Sequence, residues 1–298
     1  MGTGHFDWGP LTVPTAAMAD AKVVDWAADF LAREHEQPFF LAVGIFRPHL
    51  PWYVPKKYFE MFPLETIQLP EVKEGDLADI PPAGVRIARP QGDHAKVVAH
   101  QQWKHAVQGY LASIAFADEM LGRVLDAWES SPEAENTIVV LWSDHGWHLG
   151  EKQHWRKFAL WQRAVRVPMI VVAPGVTKPG THYDRPVSLL DIYPTVAELA
   201  GLPEQAAVEG ESLVPCLKDP QHARARPAVC TFGRNNHAVI ADTQHYIRYT
   251  DGSEELYDRR QDPHQWTNLA QRPENKPIIA SLKKWLPDIN RAGPKSVR

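Results

Sequence analysis

TIVVLWSDHGWHLGEKQHWRK, residues 137–157, decides how the rest of the chain is read. The run Ile138–Trp142 is apolar and rich in β-branched residues, which predicts a buried strand. It ends at Ser143-Asp144-His145-Gly146. In open α/β sheets, ligands sit beyond the carboxyl ends of the strands, where Asp144 and His145 would lie. Lys157 follows in a polar stretch crowded with His and Trp. A carboxylate, an imidazole and an ammonium near one strand end suit a metal ion and an anionic substrate. The same Asp-His-Gly also suits an ordinary turn, with Asp bonding local backbone and Gly taking a positive φ. These residues alone leave both open.

Working outward, Ala21–Arg33 places Val23, Ala27, Phe30 and Leu31 at helical spacing. Phe39–Phe46 (FFLAVGIF) is a continuous apolar run and predicts a second buried strand. It leads into Arg47-Pro48-His49-Leu50-Pro51-Trp52, where the prolines restrict the backbone around His49. Taken alone, His49 reads as a structural loop histidine. Residues 1–20 read as loop, and 53–100 as a Pro-rich excursion over the surface. Gln101–Glu129 is the longest expected helix, with a core stripe of Val107, Leu111, Ile114, Leu121, Val124, Leu125 and Trp128.

Val167–Ala173 predicts a third strand, closed by Pro174-Gly175. Ser188–Ala200 predicts a helix with Ser188 at its N-cap and Asp191 completing a variant capping box. Residues 203–226 read as linker. Alternating segments at 228–233, 237–242 and 245–250, parted by turn residues, predict a small antiparallel sheet. Ile278–Trp285 predicts a closing helix.

With 298 residues, 44% hydrophobic and 23% charged, the chain suits one large α/β domain or a domain plus a smaller one. A net charge of −4 gives no basic surface for nucleic acid. No apolar run reaches membrane-spanning length. The opening MGTGHFDWGP lacks the basic start and apolar core of a signal peptide, and Phe6 breaks a myristoylation pattern. Two cysteines, Cys216 and Cys230, exclude a disulfide framework, and both read as core residues. His145, His148 and His154 invite zinc, but no HExxH or paired-Cys spacing is present. A hard cation at Asp144 needs more oxygen ligands than this stretch supplies. The combination suits transfer of a sulfuryl or phosphoryl group. A metal and Lys157 would neutralise the non-bridging oxygens, and His49 would protonate the leaving oxygen.

Four stretches, in order, resemble one family: Gly44–Pro63 (GIFRPHLPWYVPKKYFEMFP), Ser143–Lys157, Val187–Leu202 (VSLLDIYPTVAELAGL) and Glu255–Ala270 (ELYDRRQDPHQWTNLA). The chain resembles type I sulfatases, nearest the iduronate-2-sulfatase-like branch, from about Phe6 to Leu269. The fold this implies is α/β and alkaline-phosphatase-like. Residues 1–215 would be part of a mixed sheet flanked by helices, and 216–298 a small antiparallel sheet with a helix. The resemblance implies Ca²⁺ at Asp144 and His145, sulfate contact by Lys157 and His49, and a substrate pocket faced by Trp147 and His148. The implied partner is a sulfated carbohydrate such as a glycosaminoglycan. Family members are usually exported or lysosomal.

The family's nucleophile, a Cys or Ser in C/S-x-P-x-R converted to formylglycine, has no match here. Nor has its early Asp-Asp pair. Cys230-Thr-Phe-Gly-Arg234 carries Phe in place of Pro and falls in the expected C-terminal sheet, so it is a decoy. The expectation is a sulfatase whose N-terminal portion, with the nucleophile, would precede Phe6. The alternatives are a phosphoryl or phosphonate ester hydrolase of the same superfold and an inactive sulfatase fragment.

Overall fold

A computed structural model describes residues 5–290. The chain divides between two units, Met1–Glu71 with Gln91–Thr137, and Val72–Pro90 with Ile138–Arg298. The first opens with β1 (Trp8–Leu11), α1 (Ala19–Leu31), β2 (Trp52–Pro55) and α2 (Lys56–Glu60). The segment 72–90, part of the second unit, carries α3 (Pro82–Ala88). The chain then returns to the first with α4 (Asp93–Ala99) and α5 (Trp103–Glu129).

β1 and β2 pair in parallel, Trp8 against Trp52, so residues 1–20 are not wholly loop. Their ladder joins residues over forty positions apart, a partnership that local pattern does not reveal. α5 forms as expected, with Val107 buried and Val124 packed against the core, but its buried face is centred on Ala106, Gly109, Ala112, Ser113, Phe116 and Met120, and Ile114 is exposed. The small residues explain the choice. A Cβ added at Gly109 would lie 2.8 Å from the Cβ of Trp8, so only a side-chain-free position lets β1 come this close. Met18, Ala21, Val24, Tyr58, Phe59, Phe116 and Met120 form the core of this unit.

Phe39–Phe46 departs from expectation. It lies in no ladder among the described residues, and Phe40 is 84% exposed. Its residues alternate between half-buried and exposed, the period-2 pattern of an extended segment. The pattern is present, without a hydrogen-bonded neighbour strand among the described residues.

In the second unit come β3 (Val139–Trp142), the short hairpin strands β4 (His148–Leu149) and β5 (Trp155–Arg156), α6 (Gln162–Val165) and β6 (Met169–Val172). β3 and β6 pair antiparallel, as a two-stranded sheet with Ile170 54% exposed. α7 (Ile192–Leu199) follows a single 3₁₀ turn at Leu189–Asp191. The capping box holds: Ser188 Oγ accepts from Leu190 N at 3.2 Å, and Asp191 Oδ2 accepts from Ser188 N at 2.8 Å. α8 (Val214–Lys218) interrupts the expected linker and buries Cys216.

β7 (Ala228–Thr231), β8 (His237–Ile240), β9 (Gln244–Arg248) and β10 (Glu254–Asp258) form an antiparallel sheet in the order β10-β9-β8-β7, followed by α9 (Lys276–Lys283). β10 adds a fourth strand to the three expected. Both faces of this sheet are covered. Ala238, Ile247 and Tyr257 pack with Ala159, Leu160, Trp161 and residues of α3. Val239, Tyr246 and Leu256 pack with Ile279 and Leu282 of α9. Ile80, Ala83 and Ala88 thus belong to a core, which corrects the surface excursion expected over 53–100. Proline is no obstacle there, since Pro82 sits in the first turn of α3, where its missing N–H is not needed. Among the described residues no helix is long and apolar enough to cross a membrane.

His245 of β9 is buried, with Nε2 2.9 Å from the Leu160 carbonyl oxygen. Burial lowers its pKa from 6.5 to about 4, against the opposing effect of that bond. The folded chain therefore keeps His245 neutral while the unfolded chain takes up a proton. The stabilisation is full above pH 6.5 and is lost as pH falls toward 4, at about 1.4 kcal/mol per pH unit. Urea unfolding at pH 7.5 and pH 5 checks this. His245→Gln should narrow its stability gap to the unchanged chain by about 2 kcal/mol at the lower pH.

Candidate functional site

β3 delivers the chain to Ser143–Gly146. The turn is held from several sides: Ser143 Oγ donates to the His145 carbonyl oxygen at 2.9 Å, and Gly146 N donates to the Ala164 carbonyl oxygen at 2.7 Å. A Cβ at Gly146 would fall 2.0 Å from the carbonyl oxygen of Arg163. Glycine here lets the turn lie directly on the backbone of α6. The turn thus presents Asp144, whose side chain is 80% exposed, with His145 Nε2 3.5 Å from its Oδ2. His145 Nδ1 lies 2.8 Å from the Gly146 carbonyl oxygen, leaving Nε2 on the carboxylate side. The Trp147 ring lies beside that of His145, tilted 36° to it, with centroids 6.0 Å apart.

His148 is fully buried, against His154 and Trp161. Burial and the neighbouring His154 hold its imidazole well below its usual pKa, so it is neutral. Its ring packs inside the hairpin and does not face an open pocket, a departure from the expectation placed on it. The sequence pattern is indifferent here, because His at a strand end suits burial as well as contact.

Lys157 follows β5, half-buried, with Nζ 5.7 Å from the Phe158 ring centroid. The hairpin leading to it is tied down throughout. Leu149 N donates to Glu151 Oε2 at 2.7 Å, and His154 Nδ1 lies 2.9 Å from the Ala88 carbonyl oxygen. Lys152, buried at 3% exposure, donates to Asp76 at 2.7 Å.

His49 belongs to the first unit. Its backbone N donates to the Phe46 carbonyl oxygen at 3.0 Å, and its Nδ1 lies 2.8 Å from the Leu50 carbonyl oxygen. Asp20 of α1, buried, accepts from the backbone N of Phe46 at 3.0 Å and of Arg47 at 3.3 Å. Trp52 Nε1 donates to the Pro48 carbonyl oxygen at 2.8 Å. The loop is therefore fixed by hydrogen bonds as well as by its prolines. Asp20 escaped the sequence reading, although a signal existed: it sits four residues before Val24 on the buried stripe of α1, where an acid needs a partner.

Asp144 and His145 fit part of a cation site, offering an exposed carboxylate and an adjacent imidazole nitrogen. They do not make a whole one, since Ca²⁺ takes about six to eight oxygen ligands. Among the described residues no group of three or more His, Cys, Asp or Glu side chains gathers as metal ligands do. Neither cysteine is an activated nucleophile. Cys216 is buried, and burial pushes the Cys230 thiol up, which disfavours the reactive thiolate.

The sulfatase family model matches residues 4–202, well over half of the chain. The chain belongs to the sulfatase family. A second family model, the C-terminal region of N-sulphoglucosamine sulphohydrolase, matches residues 150–292 of this sulfatase-family chain. A sulfatase of Formosa agariphila is 44% identical over 293 residues, 97% of this chain and 57% of that protein. The mouse iduronate 2-sulfatase is 31% identical over 231 residues, 64% of this chain and 41% of its own length. Among solved structures, a phosphonate monoester hydrolase from Silicibacter pomeroyi superposes with a TM-score of 0.80 at 21% identity, covering 93% of this chain and 60% of that one. The fold is the alkaline-phosphatase-like α/β fold. The chain spans little more than half the length of the longest-matched of these relatives.

The close approach at Gly146 yields a direct test. Gly146→Ala should lower stability by about 1–3 kcal/mol, as overpacking does, because the clash is with backbone that cannot swing aside. The urea midpoint of the chain measures it.

Proposed function

We propose that the chain is the larger part of a sulfuric-ester hydrolase that removes sulfate from a sulfated sugar. The observation that supports this most is the family match together with Asp144 and His145 at the end of β3. The iduronate 2-sulfatase relative supports a glycosaminoglycan-like substrate. Asp144 and His145 would contribute to holding Ca²⁺, which when bound would polarise the sulfuryl oxygens. Lys157 would place its ammonium on a non-bridging oxygen, where charge grows as the S–O bond breaks. His49 is the candidate proton donor to the leaving sugar oxygen, on the resemblance of its Arg-Pro-His segment. Trp147 offers an apolar ring to a sugar face.

Hydrolysis breaks the S–O bond to the sugar. The sulfuryl group passes to a nucleophile and is then released as sulfate, one water being consumed over the cycle, and the sugar oxygen leaves with a proton. The 298 residues contain no C/S-x-P-x-R stretch, and neither Cys216 nor Cys230 suits that nucleophile, so on the sulfatase reading it would come from polypeptide outside them. Two assays with 4-nitrophenyl sulfate and Ca²⁺ test the proposal. The 298-residue chain alone should show no turnover. The protein as its native source makes it should turn over, and Lys157→Ala should cost it about 10²–10³ in kcat, the scale of losing one charge-stabilising donor. Turnover by the chain alone would refute the need for a nucleophile from outside these residues. Preference for 4-nitrophenyl phenylphosphonate over the sulfate would point to a phosphonate ester hydrolase instead.

A further inference from the structure

The segment between β4 and Lys157 has an unusual backbone. Gly150 lies at φ +120°, and Lys152, Gln153 and Arg156 at +56°, +49° and +78°. Three side-chain-bearing residues out of five thus sit in the left-handed region, which such residues seldom adopt. Strain of this kind persists only where the surroundings over-determine it, and it gathers at functional sites.

What over-determines it is Lys152. Its ammonium, in the interior of the second unit, donates to Asp76 Oδ1 at 2.7 Å and to the backbone oxygen of Gln265. It also lies 5.5 Å from the centroid of the Tyr257 ring. Gln265 is itself left-handed, at φ +59°, and buried. Its side-chain oxygen accepts from the backbone N of Gln162 at 2.6 Å. One residue therefore grips the chain at two points, 152 and 162, and Lys157 stands midway between them.

A buried ion pair is weak evidence for stability, because well-packed apolar residues often serve as well or better. A fixed position is what such a pair supplies here. Lys152 is too deeply buried to touch a substrate. We propose that Lys152, clamped by Asp76 and Gln265, is a positioning residue that holds Lys157 in place for the reacting group. This role rests on the sulfatase reading of Lys157 given above.

A double-mutant cycle in the native-source protein tests it, with 4-nitrophenyl sulfate as substrate. Lys152→Met should lower kcat at least tenfold, and Lys152→Arg, which keeps the pair with Asp76, should recover most of that. In a Lys157→Ala background, Lys152→Met should cost less than twofold, since nothing remains to be positioned. Equal losses in both backgrounds would mean general damage to the fold and would overturn the proposal. Lys152→Met combined with Asp76→Leu guards against misfolding: it should fold and stay slow, and full activity in it would overturn the role of the pair. If the unaltered protein shows no sulfatase turnover, the functional reading fails, and amide hydrogen exchange then decides the positioning claim alone. Faster exchange at residues 153–158 in Lys152→Met, with β7–β10 unchanged, supports it. Unchanged exchange at 153–158 overturns it.

Discussion

The second unit depends on one buried carboxylate. Glu255 of β10 is fully buried, and its two oxygens accept from Trp161 Nε1 at 2.8 Å and from the hydroxyls of Tyr249 and Tyr257. An isolated carboxylate would not be tolerated at such a place. Burial raises its pKa, and the three donors work against that rise. Burial and the adjacent Glu255 in turn raise the pKa of both tyrosines, which keeps them protonated and able to donate. The arrangement fixes Trp161 against the sheet, and Trp161 opens α6, on whose carbonyls the Asp144–Gly146 turn rests. A constraint in the C-terminal sheet thus reaches the end of β3 through one indole.

Local order was legible wherever the periodic signal was long or the cap chemistry explicit. The strand at 139–142, the helices at 19–31 and 103–129, and the Ser188–Asp191 box all form. What failed required long-range partners. The apolar run Phe39–Phe46 has the alternation of a strand without a ladder, and β1 exists only because β2 lies beside it. On α5 the large residues of the expected stripe are mostly half-buried, and the closest packing falls at Gly109 and Ala112, whose small size carries no periodic apolar signal.

Asp144 and His145 stand out as candidates in the sequence because ligands sit beyond strand ends, and the fold puts both at the end of β3. Lys152 does not stand out. Gly-Glu-Lys-Gln reads as a solvated hairpin tip, and nothing local says that its lysine meets an aspartate 76 residues earlier. His148 shows the converse: a histidine beside a candidate site is also a shape that fills space. Both cases turn on burial, which residue type alone does not disclose.

The segment 72–90 belongs with residues 138–298, although the chain between them builds the other unit. Its ties are distant ones: Lys73 Nζ donates to the Trp266 carbonyl oxygen at 2.8 Å across 193 positions, and Asn268 N to Asp79 at 2.7 Å. On a ribosome this strap emerges long before its partners. It must wait, with Ile80 and Ala83 uncovered, until β10 and the loop after it are made. Contacts this far apart in sequence close slowly, and apolar surface exposed in the interval is a target for chaperones. The order of synthesis, and not the final packing alone, is therefore a constraint that this fold places on its own formation.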